Sequence, residues 1–153
     1  MDRKYYQGVA MADSYASDFT EIPATLAVNA ELRSSVERLV KQEPIPGKVL
    51  EGGNRLDAFR SILLDLIVGR VDLHEAYRRT GRDLPRTSSP YSRSNLVFAE
   101  GWEERLVRTQ LSRFYNQAVM EKLRAAGHDK CFVAHSTDED VNSRCSRVSG
   151  GNP

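Results

Sequence analysis

The sequence is poor in the features that announce a function. It has two cysteines, Cys131 and Cys145, in 153 residues, too few for a disulfide scaffold. No run of 18 apolar residues exists, and the N-terminus lacks the apolar stretch of a signal peptide, so no membrane contact is expected. Charge of one sign is missing too. The 22 Lys+Arg and 21 Asp+Glu sum to +1, so no overall field draws nucleic acid or a membrane surface. Aromatics are 8% of the chain and hydrophobics 40%, which suits an ordinary soluble domain that buries about 68–70% of its unfolded surface.

Catalytic and cofactor motifs are also lacking. His74-Glu75 has Arg78 where a zinc-protease helix needs its second histidine. Gly47-Lys48 lacks the Ser/Thr and the upstream glycine of a phosphate-binding loop, and there is no GxGxxG. No catalytic residue, metal or cofactor is expected. Near the C-terminus, His128, Cys131, His135, Asp138, Asp140 and Cys145 include potential metal ligands, but their spacings lack the tight pairs of structural zinc sites. A Cys131–Cys145 disulfide would add about 3 kcal/mol in the chain-entropy model. Two free thiols are the alternative.

What is present is helical periodicity. A mainly α fold is expected: a small helical bundle with one long C-terminal helix, an extended N-terminal arm, and a short strand plus a flexible tail at the end. Residues 1–29 carry Tyr5, Tyr6, Tyr15 and Phe19 without period, and are read as an arm whose aromatics anchor on a neighbour or as an unstructured terminus. The helical core is placed at residues 30–126. Asn29 is the expected cap of a helix over residues 30–42 with the stripe Leu32, Val36, Leu39 and Val40. Asn54 is the expected cap of residues 55–68, with Leu56, Phe59, Ile62, Leu63, Leu66 and Ile67 on one side and Gly69 as the stop. Asp72 opens a third helix, with Leu73, Ala76 and Tyr77 inward and Gly81 as its end. Residues 95–126 contain no proline and predict one long helix, with Gly101 as a candidate break, Glu104–Arg108 as an exposed ion pair and Gly127 as the stop. Residues 127–153 form the predicted strand (130–135) and tail.

The neutral total hides local charge. Arg78, Arg79, Arg82, Arg86 and Arg93 face only Asp83 within residues 78–93, a local +4. On a serine-rich loop such arginines are either a solvated surface or a contact for phosphates or an acidic partner. The acidic turn Asp138-Glu139-Asp140 carries the opposite sign, so copies could join head to tail.

Residues 103–150 resemble the C-terminal module of phage minor head proteins, the head-morphogenesis family related to the F protein of phage Mu. Arg108-Thr109-Gln110, Tyr115-Asn116, Gly127, Asp138 or Asp140, Cys145 and Gly150 follow that family's order. The N-terminal half carries no part of the pattern, and the family's further strand beyond the final glycine is missing. The resemblance implies a trimmed relative: a non-enzymatic virion component at the head–tail connector, assembled in the host cytoplasm. Its implied partners are further copies in a ring, portal, capsid or other connector proteins, and packaged DNA. The alternative is a helical nucleic-acid-binding regulator using the Arg78–Arg93 segment.

Overall fold

The computed structural model describes residues 19–128. They are mainly helical: α1 Glu21–Val28, α2 Ala30–Gln42, α3 Arg55–Ile67, α4 Leu73–Asp83 and α5 Trp102–Ala125, with single 3-10 turns at Lys48–Leu50 and Arg86–Ser88. The predicted strand at 130–135 and residues 1–18 of the predicted arm lie outside the described residues. The chain divides into two units, residues 1–118 and 119–153.

Four of the five helices begin or end as the sequence predicts, α5 at Gly127 among them. Asn29 accepts a hydrogen bond from the Leu32 amide at 3.0 Å, and Asp72 accepts one from the Glu75 amide at 2.8 Å. After α3, Gly69 takes φ +85°, and the amides of Gly69 and Arg70 return to the carbonyls of Leu66 and Asp65. This double return satisfies carbonyls that a helix end leaves open, and its left-handed residue favours glycine.

Four expectations about helix limits are corrected. Part of the predicted extended arm is helical: α1 occupies residues 21–28, and Phe19 and Leu26 are buried within the first unit. Asn54 makes no side-chain cap, because its backbone (φ −102°, ψ 22°) lacks the extended geometry that aims a cap at the following amides. Gly81 does not stop α4. It lies inside the helix, where a Cβ would sit 3.1 Å from the end of the Glu103 side chain, so a larger residue there requires that carboxylate to shift. The long helix starts at Trp102, after Gly101, and residues 95–98 form a turn.

The core of the first unit joins all five helices. Leu32, Val36, Leu39 and Val40 are buried from α2, and Phe59, Ile62, Leu63, Leu66 and Ile67 from α3. Ala76 comes from α4, and Val107, Leu111, Phe114 and Ala118 from α5. Inward positions differ from prediction in α4. Thr80 is buried with Ala76, its hydroxyl donating to the Ala76 carbonyl at 2.8 Å, while Leu73 and Tyr77 are only half-buried.

In α3 the inward row begins with a charge. Arg55, one helical turn before Phe59, is 2% exposed. Its Nε donates to the Val49 carbonyl at 2.7 Å, and its Nη1 to the Pro85 carbonyl at 2.6 Å and the Ser88 hydroxyl at 2.9 Å. Its Nη2 donates to the Leu84 carbonyl at 3.1 Å. One guanidinium thus ties α3 to both 3-10 turns and to the end of α4. Replacing it removes the donor to the Val49 and Leu84 carbonyls, each loss costing about 1–3 kcal/mol, while the Pro85 carbonyl keeps the Ser88 amide and hydroxyl. Arg55→Met is expected to lower unfolding free energy by about 3 kcal/mol or more in urea titration, and Arg55→Lys to recover less than half, because an ammonium cannot span a planar fork's acceptors. Ser88→Ala, which removes one acceptor and strands no carbonyl, is expected to cost about 1 kcal/mol or less.

Candidate functional site

The basic segment 78–93 was the leading candidate contact, and its arginines are largely engaged inside the chain. Arg79 is 17% exposed at its side chain and pairs with Asp65 of α3 at 2.6 Å, with Asp83 at 3.7 Å beyond. Arg86 donates to the Ser92 carbonyl at 2.6 Å and to Asn95 Oδ1 at 2.8 Å, and stands 5.4 Å from the Phe98 ring centre. The segment is therefore a built turn rather than a mobile loop. Arg78 and Arg82 are exposed but paired, with Glu75 at 2.8 Å and Asp83 at 2.9 Å, and Arg93 is exposed. Asp65 and Glu75, outside the counted window, offset part of the +4.

The family-pattern residues divide between two settings. Arg108 pairs with Glu104 as predicted, yet it is half-buried rather than on an open surface. Its Nε donates to the Tyr77 hydroxyl at 3.1 Å, and its guanidinium lies 5.4 Å from the ring centre of Phe19. Phe19, a predicted anchor for a neighbour, is thus seated in its own chain. Thr109 and Asn116 are exposed, Tyr115 is half-buried, and Gln110 is buried. Arg108 and Thr109 line a hollow of about 260 Å³ beside Gly101, Glu104 and Arg105. In the second unit, Gly127 (φ +95°) closes the helix as predicted, with the Gly127 and His128 amides returning to the carbonyls of Arg124 and Leu123. Tyr5, Tyr6, Tyr15, Cys131, Cys145 and Gly150, with the candidate disulfide, lie outside the described residues.

Features missed in the sequence are the carbonyl-binding arginines and an apolar groove. Besides Arg55, Arg33 donates to the Leu26 and Ala27 carbonyls, Arg60 to those of Val40 and Glu43, Arg105 to those of Ala99 and Glu100, and Arg113 to that of Pro44. Most of these acceptors are the open carbonyls at helix ends or the loop after them, where a cation is favoured. The only available signal was position, since Arg55 and Phe59 share one helix face. The groove, about 630 Å³, is lined by Pro23, Ala24 and Ala27 of α1 and by Ile67, Val68 and Leu73 around the α3–α4 turn, together with Arg33, Asp72 and His74.

Among the described residues no group of three or more His, Cys, Asp and Glu could hold a metal, and no helix is long and apolar enough to cross a membrane. No family model, curated protein or solved structure matches the chain.

Hydrogen bonds from Arg79 and then Arg70 hold the Asp65 carboxyl below its ordinary value, and the bond from Arg82 does the same for Asp83. A depressed folded value means that the stabilisation is complete above the unfolded aspartate value, about 3.9, and is lost as pH falls through the lower folded value. Asp65→Asn is expected to cost about 2 kcal/mol at pH 7 and progressively less below pH 4, as the wild-type aspartate protonates. Urea titrations at pH 7 and pH 2.5 test this: a gap between variant and wild type that stays constant with pH refutes the Arg79–Asp65 role.

Proposed function

We propose that this chain is a non-enzymatic structural subunit of a tailed-phage virion, at the head–tail connector, of the minor head, adaptor or head-completion type. It works by protein–protein assembly with further copies in a ring and with portal, capsid or other connector proteins. The observation that carries the reading is the ordered pattern from Arg108 to Gly150, whose helical part falls on a single 24-residue helix closed at the expected glycine. Two further features support assembly by protein contact. Leu96 is 93% exposed on the turn that Arg86 pins, a pre-positioned apolar anchor, and Val28 is 85% exposed at the end of α1. Four of the five arginines in the basic segment have partners within their own chain, which weakens the case for a nucleic-acid regulator. Contact with packaged DNA would fall mainly to Arg93 and the exposed, paired Arg78 and Arg82.

Sedimentation and light scattering of the full chain, alone and with a tailed-phage portal protein, test the reading. A closed ring or a fixed-stoichiometry complex with portal is expected, and Leu96→Asp is expected to weaken it at least tenfold without altering helicity. A chain that stays monomeric in both mixtures overturns the assignment. Duplex DNA binding with a log–log salt slope of about −4.5, as about five neutralised phosphates would give, transfers it to the nucleic-acid alternative.

A further inference from the structure

The groove along α1 is mostly apolar and lies where the chain enters the described structure. Thr20 is one of its lining residues, and Ala24 and Ala27 continue the same wall. Ala24 and Ala27 are exposed, although they oppose Ile67, Val68 and Leu73 across a groove of about 630 Å³. Apolar surface of this kind is usually covered.

We infer that the groove is the seat of this chain's own N-terminal segment, with the Tyr15 ring as the group that fills it. Three observations carry this choice of occupant. The first is where the preceding chain ends: residues 1–18 join the structure at the groove's own edge, so their local concentration there is that of a short tether, which a second copy in dilute solution cannot match. The second is reach. The wall from Thr20 to Ala27 spans about 10 Å at 1.5 Å per residue, and the four residues from Tyr15 to the buried Phe19 extend to about 14 Å at most. Tyr15 is therefore the nearest upstream aromatic, and the groove's far end lies within its range. The third is precedent on the same segment. Phe19, the next aromatic along, is already buried intramolecularly under Arg108.

The chemistry of the groove suits a phenol. Tyrosine brings a large apolar ring and a hydroxyl that needs a polar partner. The walls supply Ala24, Ala27, Ile67 and Val68 for the ring, and Asp72 and His74 line the same groove as candidate partners for the hydroxyl. This inference goes beyond the connector reading and stands whether or not that reading holds.

Methyl NMR on the full chain tests it. Overhauser contacts are expected between the Tyr15 ring and the methyl groups of Ile67, Val68 and Leu73. They are expected to be absent in a one-to-one mixture of ring-labelled and methyl-labelled copies, which reports only contacts between copies. Tyr15→Ser should remove the contacts and shift the groove methyls, Tyr15→Phe should keep most of both, and Tyr5→Ser should leave them unchanged. Absence of the contacts, groove methyls unmoved by Tyr15→Ser, or contacts in the mixed sample would overturn the inference, the last by assigning the groove to a second copy.

Discussion

The Arg55 guanidinium is buried against four neutral oxygens, and much of the first unit is organised around keeping them there. Burial lowers its pKa from the ordinary arginine value, yet an arginine stays charged in any accessible pH range. A charge that cannot be shed must be solvated by the protein. Three backbone carbonyls and a hydroxyl replace water, and the Phe98 ring, 5.8 Å away, adds a further favourable face. The carbonyls come from both 3-10 turns and the end of α4. Satisfying one cation therefore fastens two irregular segments to α3, alongside the burial of Leu50 in the first of them.

The same device recurs at smaller scale. Arg33 and Arg60 close the C-terminal ends of α1 and α2, Arg105 holds the turn before α5, and Arg113 reaches the carbonyl of Pro44 between α2 and α3. The described residues contain no cysteine, so no disulfide staples them. Here the long donor-rich side chains of arginine join segments distant in sequence by satisfying backbone groups that would otherwise be desolvated without partners. Within residues 78–93 the positive charge is instead offset by carboxylates, Glu75 on Arg78, Asp65 on Arg79 and Asp83 on Arg82, while Arg86 bonds the Ser92 carbonyl. Functionally this shifts attention to rigidly presented apolar groups such as Leu96 and to the groove beside α1.

The helices themselves were largely legible. The stripes of α2 and α3 read correctly because apolar residues at helical spacing bury wherever a core exists, and Gly69 and Gly127 end helices because a left-handed turn favours glycine. Gly81 misled, since a glycine that ends a helix and one carried within it look identical in sequence, and α4 runs on through it to Asp83. Asn54 misled because a cap depends on backbone angles set by the Gly52-Gly53 turn before it. The segment of α1 was missed because its stabilisation comes from Phe19 and Leu26 packing into the core, which has no local periodicity.

By itself the sequence determined the mainly helical class, the apolar faces of α2 and α3, two helix stops, and the Asn29 and Asp72 caps, all governed by interactions within about five residues. Tertiary structure alone decided which charges are available. For several arginines the partner lies far along the chain, 14 positions away for Arg79 and Asp65 and 69 for Arg113 and Pro44. It also decided the groove, whose walls come from α1 and the α3–α4 turn and are adjacent only because the core draws them together. Local rules act through backbone geometry, which composition and spacing encode. The fate of a charge is set by desolvation, and desolvation exists only once distant segments have packed.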